Sequence, residues 1–200
     1  MTLSADNPIE HVLSTCASHD GAMLLHYALR DESLWNQHKL RTSDDGPHRH
    51  VHDIWVRCLD WKVMQRDPAR FNEPHESVWY PVTQGPLGLA RDLAMSMWRH
   101  VGGVDLGGVL ITKIPAGTCV LPHVDHGWHA RYYEKFAFSI AANGMQEFCF
   151  EKKRLVTEQG DWFTFDNQYS HWVTNPSPQD RITMIVCIRR PKPPNPNGPT

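Results

Sequence analysis

The sequence lacks most features that would set a 200-residue chain apart from ordinary globular proteins. Its five cysteines, Cys16, Cys58, Cys119, Cys149 and Cys187, are odd in number and contain no C-x-x-C pair. That spacing excludes a disulfide framework. Thiols inside apolar runs, as in Phe148-Cys149-Phe150 and Val186-Cys187-Ile188, read as small buried hydrophobes. No apolar run approaches the roughly 20 residues that a membrane helix needs. No charged segment followed by an apolar stretch opens the chain, so a cytoplasmic location is expected. There is no charge excess either: 20 Lys and Arg against 22 Asp and Glu give a net charge of -2. That balance argues against a strongly basic nucleic-acid-binding or membrane-surface protein. No internal repeat is visible.

What the chain does have is histidine and tryptophan, 13 and 8 respectively. Many histidines hint at metal, and spacing must test the hint. Residues 87–100 form the clearest helix, with Leu89, Ala90, Leu93, Ala94, Met97 and Trp98 on one stripe and Gly102-Gly103 as its stop. Ile9, Val12, Leu13 and Cys16 recur at helical spacing behind a possible Asp6 cap, so a first helix is expected there. Residues 52–59 alternate like a strand, and a proline-rich loop is expected to follow. Beyond Gly103, eight short strands are expected: 108–114, 119–123, 132–141, 145–150, 154–157, 161–165, 172–174 and 181–189. Turn signals separate them, and Asn143-Gly144 reads as a two-residue hairpin. The pattern predicts a mainly β fold with flanking helices, as a sandwich, a barrel or a jelly roll. One domain is expected over 1–190, with 1–103 as support, 104–190 as the strand-rich part and 191–200 as a disordered Pro-rich tail.

Among the histidines, only His123 has a carboxylate two positions on, Asp125. Side chains two apart on an extended segment leave the same face. One more histidine would complete a 2-His-1-carboxylate triad with open positions, the site type of non-haem Fe(II) oxygenases. His171, between two strands, is the natural third ligand. Arg181 lies ten residues further, and Thr183 two beyond it. A guanidinium fork with a neighbouring hydroxyl suits a carboxylate. A metal with open sites beside such a clamp is what a chelating 2-oxo acid requires.

These residues resemble the H-x-D…H…R-x-S/T pattern of the 2-oxoglutarate/Fe(II)-dependent dioxygenases. Within that superfamily, Gly108 to Arg190 is similar to the aspartyl/asparaginyl β-hydroxylase family. Ile114-Pro-Ala-Gly-Thr118, Leu121-Pro-His-Val-Asp125, His171-Trp-Val-Thr-Asn175 and Asp180-Arg-Ile-Thr183 carry the likeness. The resemblance implies a double-stranded β-helix, a cupin-like catalytic jelly roll over 104–190, and His123, Asp125 and His171 as both catalytic residues and Fe(II) ligands. It implies Arg181, Thr183, Arg131 and Lys135 as contacts to 2-oxoglutarate. Tyr132 and Tyr133 depart from the basic pattern on that strand. The implied reaction hydroxylates an unactivated C–H of an amino acid, or of an Asp- or Asn-like residue in a peptide, with succinate and CO2 as co-products. An intact Asp125 points to hydroxylation, since halogenating relatives lack that carboxylate.

Other residues carry two readings each. Trp55 and Arg57 either reach the site from an added strand, where they would suit a carboxylate or planar substrate, or serve as core and pairing residues. Tyr133 lines the cavity or packs in the core. His126 and His129 line the entrance or sit in a solvated loop. His48, His50 and His52 read as an adventitious surface cluster. The rival functions are a cupin-type metalloenzyme that does not use 2-oxoglutarate, and a non-catalytic jelly-roll binding module.

Overall fold

The computed structural model describes residues 3–39, 41–42 and 45–191. Except for Pro191, the expected tail lies outside them. Among the described residues, eleven strands form two antiparallel sheets. They are β1 (Ile9–Leu13), β2 (His52–Cys58), β3 (Val78–Trp79), β4 (Asp105–Ile114), β5 (Cys119–His123) and β6 (Glu134–Ala141), then β7 (Asn143–Phe150), β8 (Arg154–Glu158), β9 (Trp162–Phe165), β10 (His171–Thr174) and β11 (Arg181–Arg189). The larger sheet runs β1-β9-β6-β11-β4-β2-β3, and the smaller runs β5-β10-β7-β8. Four α-helices accompany them among the described residues: α1 (Cys16–Ala28), α2 (Trp61–Arg66), α3 (Gly88–His100) and α4 (Gly127–Tyr132).

Strand alternation divides the larger sheet into two working faces. On β11, Ile182, Met184, Val186 and Ile188 join Phe136, Phe138 and Ile140 of β6 in a core packed against α1 and α3. Arg181, Thr183, Ile185 and Cys187 face the opposite way, into a cavity between the sheets. A second apolar cluster, including Val120, Phe148 and Val173 from the smaller sheet and Phe163 and Phe165 from the larger, glues the two together. Burying each such side chain stabilises the packing by about 1.5–3 kcal/mol. The two sheets stay open at their edges and form the jelly-roll architecture.

Several expected boundaries move. Ile9–Leu13 is a strand, not a helix: it pairs with β9, and Ile9 is fully buried. Pairing at a sheet edge overrides the helical spacing. The helix begins only at Cys16, where Thr15 and Ser18 form a reciprocal capping box. The expected strand 132–141 starts at Glu134, because α4 occupies 127–132. Asn143-Gly144 is no hairpin. Gly144 has φ +73°, but it carries the chain from β6 in one sheet to β7 in the other. The proline-rich stretch holds α2, β3 and two short 3-10 turns, one of them Pro68–Asn72. α3 is as expected, and Gly102 at φ +66° follows it.

Candidate active site

β5 and β10 are neighbours whose register pairs His123 with His171. Their rings lie 4.4 Å apart between centroids. His123 Nδ1 meets the Leu121 carbonyl at 2.8 Å, and His171 Nδ1 meets the Tyr169 carbonyl at 2.9 Å. A carbonyl only accepts, so each Nδ1 carries the proton and each Nε2 keeps a lone pair for a metal. Asp125 hangs just past β5, where its backbone N–H donates to the Asn167 carbonyl at 3.0 Å. Asn167 Nδ2 donates to Asp125 Oδ2 at 3.2 Å, and Oδ1 sits 3.5 Å from His123 Nε2. One ligand atom from each of His123, Asp125 and His171 lies within 4.8 Å of the others. Two imidazoles with free Nε2 atoms and one carboxylate on a single side are a donor set that fits Fe(II) with open positions.

The electrostatics agree with that use. Burial alone pushes the Asp125 carboxyl up, but a hydrogen bond from His123, which its Nε2 donates only when protonated and no metal is bound, and the positive charge of Lys135 outweigh it. The carboxyl is held well below the usual carboxylate range. Burial among Phe148, Phe150 and Phe165, whose rings surround His171 at 5.4–5.8 Å, pushes that imidazole down and keeps it neutral. Metal ligands must be in these forms.

Arg181 enters from the facing sheet. It is fully buried, its Nε donates to Thr183 Oγ1 at 3.3 Å, and its second nitrogen Nη1 has no partner among the described residues. Burial lowers it to about 10, so it stays charged at neutral pH. A buried, charged, partly unpaired fork is costly unless an anion completes it. That orphaned donor fits the carboxylate of a 2-oxo acid. Arg181, Thr183 and the three metal-ligand candidates line one cavity of about 260 Å³. Ligand pockets usually measure about 300–1,000 Å³, so this one suits small groups.

The remaining expected residues divide. Lys135 lines the cavity, and its Nζ donates to Cys187 Sγ at 3.3 Å. Trp55 lines it too, with an indole N–H that has no partner among the described residues. His126 lines it from an exposed position. Arg131 does not: it is exposed on α4 and outside the lining. Arg57 is turned away and spends its donors on the Leu106 and Gly107 carbonyls at 3.1–3.2 Å. Tyr133 is buried, donates to Asp105 at 3.2 Å and packs on Gly107, where a Cβ would meet its ring at 2.7 Å.

The histidine-rich loop corrects one expectation. His48 is not a surface residue: it lines the cavity with its ring 4.5 Å from that of His123, and burial pushes it down to about 2. His50 is exposed, and His52 pairs with Asn36. His129 also lines the cavity and accepts from the Gly108 N–H at 3.3 Å, rather than sitting solvated in a loop. Arg41, Phe71 and Asn72 complete that side without any sequence signal. Arg41 is paired with Asp53 through Nε at 2.8 Å and Nη2 at 3.1 Å.

This fold and this site define the jelly-roll oxygenases that use iron and a 2-oxo acid. Among solved structures, the chain is similar to a prolyl hydroxylase from Trichoplax adhaerens in complex with a hypoxia inducible factor peptide fragment. Identity is 9%, coverage is 92% of this chain and 84% of that one, and the TM-score is 0.58. It is also similar to the viral collagen prolyl hydroxylase of Paramecium Bursaria Chlorella virus-1, with 12% identity, 92% and 97% coverage and a TM-score of 0.50. A Pseudomonas putida prolyl-4-hydroxylase gives 14%, 92% and 93%, and 0.50. At these identities the likeness establishes the fold. No curated protein matches the chain by sequence. The aspartyl/asparaginyl beta-hydroxylase family matches residues 92–191, half of the chain, and the protein belongs to that family. It is a 2-oxoglutarate-dependent hydroxylase whose cofactors are Fe(II) and 2-oxoglutarate.

Proposed function

We propose that the enzyme hydroxylates a C–H bond of an amino acid, or of an Asp- or Asn-like residue in a peptide, forming succinate and CO2 from the co-substrate. One observation carries the reading. Three metal-ligand side chains on one sheet face a fully buried guanidinium with an unpaired nitrogen on the other. In this reading His123, Asp125 and His171 hold the iron, and Arg181 with Thr183 holds the distal carboxylate of 2-oxoglutarate. Bound together, iron and the 2-oxo acid supply the oxidising power that O2 activation needs.

The chain's own work is orientation and exclusion. The Leu121 and Tyr169 carbonyls fix the two imidazoles, and Asn167 leaves one Asp125 oxygen for the metal. Phe148, Phe165 and Val173 keep water from the metal side, which strengthens every charge interaction there. The Trichoplax relative's peptide complex supports a peptide as one form of substrate. β1, β2 and β3 join the catalytic sheet, which supports reading 1–190 as one unit. No described helix is long and apolar enough to cross a membrane. The free thiols Cys58, Cys119, Cys149 and Cys187 favour a reduced, cytoplasmic setting.

The test is turnover of labelled 2-oxoglutarate by Fe(II)-loaded protein, scored as succinate with and without amino acids and Asp- or Asn-containing peptides. Succinate is expected to form and to rise with substrate. Failure of the iron-loaded protein to bind 2-oxoglutarate overturns the reading, as does full activity in Asp125→Ala.

A further inference from the structure

The cavity side of the larger sheet carries one row across three strands. Ile185 of β11 pairs with Leu110 of β4, and Leu110 pairs with Trp55 of β2. Paired residues on antiparallel strands leave the same face of a sheet, and all three line the cavity. Trp55 is 8% exposed, and its buried indole N–H has no partner among the described residues. A buried indole N–H normally finds an acceptor, because leaving it bare forfeits the bond it made to water.

The wall around that donor is uncharged. Phe71 packs edge-on against the indole, with centroids 5.9 Å apart, and stacks on His129 at 6.2 Å; both line the cavity. His129 Nε2 accepts from the Gly108 N–H, so Nδ1 carries the ring proton, and burial keeps the imidazole neutral. Lys135, whose charge reaches His129, has Asp125 as its charge partner, and Arg41 is paired with Asp53. Neutral N–H donors on an aromatic wall suit an acceptor that brings no charge, since an anion there would give up its water for neutral bonds alone. Trp55 also walls a smaller cavity of about 180 Å³ with His38 and Tyr80, but Phe71, Leu110 and His129 belong to the lining of the larger one.

We propose that Trp55 is a specificity residue whose indole N–H donates to an uncharged amide carbonyl of the substrate, seated against Phe71 and His129. This deepens the hydroxylase reading above and rests on it. Trp55 then binds the substrate and makes no contact with the co-substrate. The substrate class narrows to molecules that carry an amide, either a peptide segment or an amide-bearing amino acid.

The test uses Fe(II)-loaded protein and labelled 2-oxoglutarate, with probe-dependent succinate as the readout. The probes are the N-acetyl N-methylamides of the common L-amino acids, Asp and Asn among them. Each is matched by counterparts with an uncharged trans-alkene in place of one amide, and by the N-acetyl amino acid with a free carboxylate. The variant is Trp55→Phe, which keeps an aromatic ring and removes the donor. Its calorimetric affinity for 2-oxoglutarate is expected to stay within threefold of the wild type, which also shows that it is folded. In the wild type, at least one amide probe should raise succinate formation, and its alkene counterpart should have a KM about tenfold higher. In Trp55→Phe the amide's KM should rise to that of the alkene, closing the gap, while kcat stays within threefold. A gap that survives in Trp55→Phe, or no gap for any probe, overturns the proposal. So does a response confined to probes with a free carboxylate. A probe whose binding depends on Trp55 but which raises no succinate sits in the smaller cavity and overturns it too. A loss of 2-oxoglutarate affinity in Trp55→Phe equal to that in Arg181→Gln assigns Trp55 to the co-substrate and also overturns it. A wild type that binds no 2-oxoglutarate instead overturns the reading of the function.

Discussion

Replacing Arg181 should separate ligand binding from stability, in opposite directions. The side chain is fully buried, and only Thr183 Oγ1 is bonded to its Nε in the free protein. A bidentate contact with a carboxylate adds two charge-assisted hydrogen bonds of about 1.5–3 kcal/mol each. Arg181→Gln should therefore weaken 2-oxoglutarate by about 10²- to 10⁴-fold at 1.4 kcal/mol per decade. Arg181→Lys keeps the charge but not the fork, and should lose about 10- to 100-fold. Without co-substrate the balance reverses. A buried guanidinium with an unpaired nitrogen is itself destabilising, so Arg181→Met should melt no lower than the wild type. Calorimetric titration of Fe(II)-loaded protein and thermal melts without ligand read the two effects. A melting temperature that falls in Arg181→Met while 2-oxoglutarate affinity stays within threefold would refute the reasoning. Arg181 would then be a structural residue whose partner is the protein.

Asn167 holds the oxygen of Asp125 that the metal does not need, so Asn167→Ala should lower Fe(II) affinity about 10- to 100-fold with the fold intact, as read by competition with a chelator. His129 is pushed down to about 2 by burial, so the folded state resists its protonation while the unfolded state accepts it near 6.5. Its contribution to stability is present above pH 6.5 and fades as pH falls below that, by about 2 kcal/mol between pH 6.5 and 5. His129→Gln keeps an acceptor for the Gly108 N–H and should flatten the acid side of the pH–stability curve; an unchanged curve would remove His129 from the account.

Much of the metal site could be read from the chain because it rests on local rules. His-x-Asp on a strand end puts two ligands on one side whatever surrounds it. The eight strands beyond Gly103 were visible in their alternation and turn residues, and seven of them differ from the structure by no more than two residues at either end. Where local rules compete, the reading failed. Ile9, Val12 and Leu13 satisfy a helical spacing, yet the open edge of β9 decides their state. Asn143-Gly144 supplies a positive φ for any tight connection, and nothing local says whether its two strands share a sheet. Arg131 and Tyr133 were placed by a strand that begins later than expected, so the helix before it carries one to the surface and turns the other into the core. His48 and His50 are alike in sequence, and only the packing of their loop against His123 distinguishes them.

The chain alone therefore carried the chemistry: two histidines, one carboxylate, and one arginine ten residues past the second histidine. Each follows from what a neighbouring residue must do on a strand. The tertiary structure decided which cations share the cavity and what each lacks. Arg41, Lys135 and Arg181 are all basic residues of unremarkable context, at 41, 135 and 181 in the chain. Asp53 neutralises the first, a thiol faces the second, and the third is left with an open nitrogen. Charge pairing depends on distances across two sheets, and those distances exist only once the strands have assembled.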